Sequence, residues 1–415
     1  MKETKFKDTE IGRIPEEWEI GYFGDVLCTF SAGATPYRGI PDYYNGKINW
    51  ISSGELNYNV IYDTIEHISE EALRNTNLCL HAPGTFLMAI TGLEATGTRG
   101  KCAFVGAPSA TNQSCLAING TNKMDIKYLY WYYRMYGDYL AFKYSQGTKQ
   151  QSFTATIVKN LPITYPKQVI EQHHIASALT SIDNLISSLG KLIEKKKNIK
   201  RGTMQQLLTG KTRLKGFSEP WVEKKLGDVA VNYTGLTYSP MNVKSYGTLV
   251  LRSSNIQKGI LVFNDNVFVD MDIPSRAIAK KNDLLICVRN GSKALIGKSA
   301  VITDYADGMA FGAFMTILHA NDIQQGFLNY LWQADYIQQQ VKDNMGATIN
   351  QITNADIEQF KIVVPHSLKE QQAIATILTK MDNEITALEA KRAKYEAIKQ
   401  GMMQQLLTGK IRLIG

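Results

Sequence analysis

The sequence predicts an α/β (α+β) fold in which two similar mixed α/β domains are joined by two long helices, paired as an antiparallel coiled coil with pseudo-two-fold symmetry. Three observations predict it. Residues 166–214 match 365–413 without a gap, and 25 of the 49 positions are identical. Within both copies apolar residues recur at steps of three and four, the period of a coiled-coil seam. Before each copy lies a longer stretch in which short apolar runs alternate with turns rich in Gly, Asn and Thr.

The repeated segments read as long helices. In the first the seam is Ile175, Leu179, Ile182, Ile186, Leu189 and Ile193; in the second it is Ile374, Leu378, Met381, Ile385, Leu388 and then Tyr395. Pro166 and Pro365 stand just before each helix, where proline is tolerated. Gly210 and Gly409 stand where a helix C-cap is expected. Residues 170–208 as one helix would span about 58 Å at ~1.5 Å per residue. A seam that long needs an equally long cover, and the second copy supplies one. The chain therefore divides into 1–165, 166–214, 215–364 and 365–415: domain, helix, domain, helix.

The two domains share a plan but not their letters. In the first, an apolar run at 85–90 is followed by a Gly-rich loop at 91–101 and a second run at 102–105. In the second, the run 283–289 leads into the loop 290–298 and the run 299–302. Each domain also carries an aromatic-rich helical stretch, at 128–144 and 327–341. Core packing is the preferred account of those aromatics, with base stacking as the other reading.

Hydrophobic content of 44% and charged content of 20% fit an ordinary globular protein, and no apolar run approaches a membrane span. The N-terminus has no apolar signal core, so a cytoplasmic location is expected. The five cysteines, Cys28, Cys79, Cys102, Cys115 and Cys287, form no C-x-x-C pair, so free buried thiols are expected rather than disulfides or zinc. The net charge is +8, but it is unevenly placed. Residues 191–215 hold nine Lys and Arg against Glu194 alone. Residues 389–413 hold six against Glu389 and Glu396, which leaves the rest of the chain at −4. The run Lys195–Lys197 with Lys200 and Arg201 is compatible with a solvated face, with DNA phosphate, or with an acidic partner subunit.

Catalytic signatures do not survive inspection. Gly291 to Gly297-Lys298-Ser299 has five intervening residues where a phosphate-binding loop needs four, and the run 299–302 reads as a strand where that loop needs a helix. No G-x-G-x-x-G opens a helix. No Asn-Pro-Pro or Asp-Pro-Pro of an amino-methyltransferase occurs. The acid-x-Lys candidates at Glu194 and Glu389 fall on the long helices and not near Pro41-Asp42. His173 and His174, as helix neighbours, face different directions. Catalytic, cofactor and metal sites are accordingly expected to be absent.

One family has this organisation. Ile14-Pro15-Glu16-Glu17-Trp18 leading to Gly24-Asp25-Val26, Gly33-Ala34-Thr35-Pro36, and Ile48 to Leu56 resemble the specificity subunits of type I restriction–modification enzymes. So does Gln205-Gln206-Leu207-Leu208-Thr209-Gly210-Lys211, repeated from Gln404 to Lys410. The second domain departs from the fuller motif with Gly235-Leu236-Thr237-Tyr238 and Leu251-Arg252-Ser253-Ser254-Asn255. The resemblance implies two target recognition domains, each reading one half of a split double-stranded DNA site. The helices would then act as a spacer and as docking surface for two modification subunits. Those partners would carry S-adenosylmethionine, and restriction subunits would add ATP-driven translocation and cleavage. The −4 left to the domains implies that tight DNA binding needs those partners.

Under this reading the residues expected at DNA are Arg, Lys, Asn, Gln, Ser, Thr and Tyr on loops. In the first domain they are Thr35, Tyr37, Arg38, Ser52, Ser53, Asn57, Thr98, Arg99, Lys101, Thr148, Lys149 and Gln150. In the second they are Tyr238, Arg252, Ser253, Asn255, Arg289, Asn290, Lys293, Lys298, Asn350 and Gln351. Two other functions are weighed: a single-chain restriction or modification enzyme, which needs motifs that are missing, and a coiled-coil scaffold without a DNA role.

Overall fold

The computed structural model describes residues 5–9, 11–95, 97–346 and 350–414. It divides into two compact units, Met1–Gly190 with Lys391–Gly415, and Lys191–Ala390. Each unit comprises a head and halves of two helices of 39 residues, Val169–Leu207 and Leu368–Leu406.

The head of the first unit is built on five strands: β1 (Cys28–Ala32), β2 (Val60–Ile61), β3 (Phe86–Ala89), β4 (Cys102–Val105) and β5 (Cys115–Asn119). Their order is β1-β5-β3-β4-β2, antiparallel except between β2 and β4. All four residues of β3 are buried. Side chains alternate across a strand, so Phe86 and Met88 face one cluster while Leu87 and Ala89 face another with Ile51 and Val105. Both faces of the sheet are covered, which is why this strand reads as an unbroken apolar run. A smaller sheet joins Ile48–Ile51 to Ser109–Thr111 and His67–Ile68.

The first cover is the helix Ile126–Tyr144, started by Asp125, whose carboxylate accepts from the Lys127 amide. Tyr128, Trp131, Tyr132 and Tyr133 are buried. The Tyr128 and Tyr132 hydroxyls donate to the carbonyls of Thr164 and Pro162, and the Trp131 indole donates to Thr180. These aromatics are core, with those polar ends satisfied.

The second unit repeats the plan with four strands: β6 (Ala230–Thr234), β7 (Leu284–Cys287), β8 (Ser299–Val301) and β9 (Met315–Ala320), in the order β6-β9-β7-β8. Leu284 and Ile286 face the cluster that holds Phe327 and Trp332, while Leu285 and Cys287 face Phe311 and Ile317. The shorter helices Gln325–Leu331 and Asp335–Asp343 stand where the first head has one long aromatic helix.

The helical halves pair inside each unit. In the first, Arg412 holds the buried Glu171 carboxylate through two nitrogens at 2.5 and 2.7 Å, and Lys399 reaches Asp183 at 2.8 Å. Moving forward from Glu171 to Asp183 moves the partner backward from Arg412 to Lys399, so the halves run antiparallel. In the second, Arg213 holds the buried Glu370 at 2.8 Å through two nitrogens, and Lys200 meets Asp382 at 2.5 Å. Of the expected seam, Ile175, Leu179, Ile186, Leu189, Ile193, Ile374, Leu378 and Ile385 are buried. Ile182, Met381, Leu388 and Tyr395 are half-buried.

The repeated Glu-Gln pair now has a reason. Beside each buried glutamate, Gln172 donates to the carbonyls of Lys123 and Pro166 and accepts from the Asp125 amide. Gln371 likewise donates to Pro365 and accepts from the Gln324 amide. Each glutamine ties the start of a long helix to its own head. Gly210 and Gly409 adopt φ of +67° and +68°, the left-handed turn that ends a helix.

One expectation needs correction. All five cysteines are free, but only Cys102, Cys115 and Cys287 are buried; Cys28 and Cys79 are exposed. Burial pushes the three inner thiols up, so they stay protonated. Among the described residues no helix is long and apolar enough to cross a membrane.

Candidate nucleic-acid interface

Strand register determines where the loops meet. In the first unit Ala89, the last residue of β3, pairs with Cys115, the first of β5. Ala32, the last of β1, pairs with Leu116, and Met88 pairs with Cys102, the first of β4. The exit of β1, the loop 90–101 and the turn 112–114 therefore share one end of the sheet. Two further segments are tied there by backbone hydrogen bonds. The Phe153 amide donates to Ile90 and the Leu93 amide to Gln151, while the Tyr58 amide donates to Cys102.

The second unit gathers the same loops at the same end. Cys287 pairs with Met315, Thr234 with Thr316, and Ile286 with Ser299. The Ile352 amide donates to Val288 and the Asn290 amide to Asn350, which fastens the segment 350–352. Asn290 and Lys298 both reach Ser253, at 3.0 Å each.

Close backbone approach makes glycine necessary at one matching pair of positions, Gly33 and Gly235. A Cβ on Gly33 would lie 1.9 Å from the Thr111 carbonyl oxygen, and one on Gly235 would lie 2.2 Å from that of Gly312. The Ala34 amide donates to Thr111 and the Leu236 amide to Phe311, so the two loop exits are equivalent. From the first of them the Thr35 hydroxyl hydrogen-bonds Gln113.

The charges at these ends are mostly held. Lys101 donates to Asn57 at 2.7 Å and lies over the Tyr58 ring. Arg38 lies 4.2 Å over the Tyr44 ring and grips Glu66 through two nitrogens. That hydrogen bonding raises the Arg38 guanidinium and holds the Glu66 carboxyl below the usual carboxylate range. Arg289 is exposed and lies 5.0 Å over the Phe314 ring, itself 54% exposed. The arrangement offers donors, acceptors and aromatic faces on one rim of each sheet. That inventory suits base edges and phosphate.

Comparison with known proteins gives this rim a context. The model of the type I restriction modification DNA specificity domain matches twice, at residues 15–201 and 218–400. The chain belongs to that family. The MjaVIII type I restriction enzyme specificity subunit of Methanocaldococcus jannaschii is 26% identical over 99% of this chain and 97% of its own length. The EcoKI specificity subunit of Escherichia coli K12 is 29% identical over 44% of this chain and 40% of its own length. In structure, the S subunit of a type I restriction–modification system from M. genitalium covers 94% of this chain and 96% of its own, with a TM-score of 0.61 at 16% identity.

Seen as a family member, the chain distributes the expected contact residues unequally. Thr35, Tyr37, Arg38, Asn57, Thr148, Lys149, Gln150, Arg289 and Lys293 are exposed at the loops. Ser52, Ser53, Lys101, Tyr238, Arg252, Ser253, Asn290, Lys298, Asn350 and Gln351 are half-buried. Thr98 is exposed, but its hydroxyl donates to the Gly92 and Ala95 carbonyls. Arg99 is folded back onto the aromatic helix, 3.2 Å from Asp138 and over Phe142. Asn255 is a correction. It is fully buried, its side-chain carbonyl accepting from the Arg252 amide and its side-chain amide donating to Val262 and Asp265, so it shapes the loop and reaches no base. Thr96, within the loop 91–101, lies outside the described residues.

Sequence reasoning missed Gln113 and Phe314, both exposed at the turn into an inner strand of their heads, β5 and β9. Their signal was the short polar or glycine-bearing turn between two apolar runs, 112–114 and 312–314. The histidine pair does separate as expected: His173 faces Asp125, and His174 faces the Leu413 carbonyl.

Proposed function

We propose that the loop end of each head reads one half of a bipartite double-stranded DNA site, and that the paired helices set the spacing of the halves and dock two modification subunits. The observation that carries this reading is the recurrence of one loop constellation at one sheet end in two heads with different side chains. A shared frame with exchanged tips is what reading two different sequences requires. Tyr37, Lys149, Gln150, Arg289 and Lys293 are the exposed readers; Lys298 and Asn57 brace neighbouring loops. Arginine to guanine and glutamine or asparagine to adenine are the expected direct contacts.

In this reading the chain transfers no group itself. S-adenosylmethionine and ATP belong to the modification and restriction subunits, and the complex works in the cytoplasm. A helix of 39 residues, about 58 Å long at ~1.5 Å per residue, is long enough to span half-sites about one DNA turn, ~34 Å, apart. In the basic segments 191–215 and 389–413, Lys196, Lys197, Lys200, Arg213, Arg392, Lys399 and Arg412 form ion pairs within the chain, and the remaining bases supply charge for phosphate or for an acidic partner surface. The test is adenine methylation of genomic DNA by the chain alone, by a partner methyltransferase alone, and by both. Sequence-specific methylation that needs both is expected. Methylation by the chain unaided would return the single-chain enzyme, and methylation indifferent to the chain would return the scaffold.

A further inference from the structure

The two loop ends differ in one place that ordinary variation of contact residues does not explain. The equivalence of positions is fixed by backbone pairing. The Asn112 amide donates to Ile51 and the Gly312 amide to Leu251, in each case at 2.9 Å. Gln113 therefore corresponds to Ala313, Ser114 to Phe314, Thr35 to Thr237, and Ser52 to Arg252. In the first head the space between the two turns is crossed by the Thr35–Gln113 hydrogen bond. In the second, alanine and glycine replace the long polar side chains, and a cavity of about 510 Å³ opens there.

The lining of this cavity suits a particular guest. Phe314 and Tyr238 give it aromatic faces, and Phe314 is more than half exposed at its rim. Arg252, Ser254 and Asp265 give it polar groups. Arg252 is steered by Asp265, 2.8 Å from one terminal nitrogen. Its Nε and the Ser254 hydroxyl are buried without a hydrogen-bond partner. A flat aromatic face beside a donor, a hydroxyl and a carboxylate matches the flat face and mixed donor–acceptor edge of a nucleobase. The size agrees, since small-ligand clefts run from roughly 300 to 1,000 Å³.

We propose that the cavity beside Phe314 receives one nucleobase of the half-site, displaced from the duplex stack. This rests on the half-site reading above and deepens it: the second head would read its half partly by extracting a base, while the first reads edges in place. Phe314 stacks on the displaced base, and the terminal nitrogens of Arg252 with the Asp265 carboxylate meet its edge. Arg289, 5.0 Å from the centre of the Phe314 ring, contacts the strand the base leaves. Stacking on an aromatic side chain offsets only part of the cost of unstacking the base. Displacement is therefore feasible only at a weakly stacked step, which itself selects sequence.

The test uses the chain assembled with its modification subunits and a duplex carrying the site mapped by genomic methylation. The half read by the second head is the one whose specificity relaxes in Arg289→Ala. Fluorescent 2-aminopurine is placed at each position of that half in turn. One position other than the methylated adenine is expected to brighten on binding. Ala313→Gln, which rebuilds the first head's bridge inside the cavity, should abolish that signal, and Phe314→Ala should weaken duplex binding about tenfold. No brightening away from the methylated adenine, or brightening that persists unchanged in Ala313→Gln, would overturn the proposal. Methylation of the same duplex is scored in parallel. Intact methylation with every base stacked refutes the displaced base alone, whereas loss of site-specific methylation in the wild-type assembly refutes the half-site reading.

Discussion

The helical halves and the loop ends of the two units obey opposite rules. In the helices the central ion pair is repeated: Arg412 on Glu171 in one unit, Arg213 on Glu370 in the other, each bidentate around a glutamate that is 1% exposed, with Glu17 added beside Arg412 and the Trp221 indole beside Glu370. At the loop ends the backbone is repeated while most side chains are exchanged. The same amides meet the same carbonyls, but Gln113 gives way to Ala313, and Ser52 to Arg252. The difference teaches how one fold holds a constant frame and a variable message. Constancy sits where burial makes a substitution strongly destabilising. Variation sits where solvent makes it nearly neutral.

The sharpest way to break this comparison is at the buried pairs. Glu171→Ala leaves the Arg412 guanidinium, 11% exposed, with Glu17 as its remaining carboxylate, and Glu370→Ala leaves Arg213, 27% exposed, without the carboxylate it holds. Breaking a buried pair from one side costs about 3–5 kcal/mol. Each variant is expected to lower the urea-unfolding free energy of its own unit by up to an amount of that order. A loss below about 1 kcal/mol would show that the pairs are solvated and the helices are held by the apolar seam alone.

The loop ends should respond differently. Gln113→Ala and Arg289→Ala are each expected to relax discrimination by about 1–3 kcal/mol per lost base contact. The relaxations should fall in opposite halves of the methylated site. Unfolding midpoints should stay within about 0.5 kcal/mol of wild type, as for surface substitutions generally. Methylation mapping checks the first statement and denaturation the second. Relaxation in the same half for both variants would show that one rim reads the whole site.

A smaller, pH-dependent effect belongs to the helices. Burial pushes the Asp183 carboxyl up, but the hydrogen bond from Lys399 and the charge of Arg134 outweigh it and hold its pKa below the ordinary value. A depressed carboxyl stabilises the fold above its unfolded pKa, about 3.9, and that stability disappears as pH falls through the lower, folded value. Wild type is therefore expected to lose stability below about pH 4 more steeply than Asp183→Asn. Parallel acid-unfolding curves for the two proteins would assign the acid response elsewhere.

Much of this architecture was legible in the residues themselves. The seam and the repeat placed both long helices because a period of three and four over so many residues admits few other burials. The loops 91–101 and 290–298 were legible because glycine and polar residues between two apolar runs leave little choice but a turn. Asn255 was not legible. An asparagine three residues after Arg252 looks like loop polarity, and only the fold shows that its side chain is engaged with nearby backbone. Arg99 misled for a similar reason: whether an arginine in a glycine-rich loop points outward depends on Asp138 and Phe142, far along the chain. Phe314 and Gln113 became meaningful only once strand register set their turns beside Gly235 and Gly33.

The smallest effect concerns Arg38, whose role the comparison leaves divided between frame and message. Its guanidinium is held by Glu66 and the Tyr44 ring, yet the side chain is 55% exposed and that of Glu66 41%. An ion pair this open is worth about 0–1 kcal/mol, so Glu66→Gln should barely move the unfolding midpoint. Its effect on DNA is the informative one. If Arg38 is a reader that Glu66 holds in reserve, removing the competing carboxylate strengthens duplex binding by the assembled complex and steepens its salt dependence. If Arg38 belongs to the frame, binding and salt slope stay at the wild-type values while Arg38→Ala loosens the packing on Tyr44 and Trp50. Because Glu66→Gln removes one negative charge from the head either way, a control with the same charge change is needed. Glu71→Gln, on the helix Glu70–Asn75 of the same head, serves. Tightening by Glu66→Gln beyond that control would place Arg38 among the readers, and equality with it would place Arg38 in the frame.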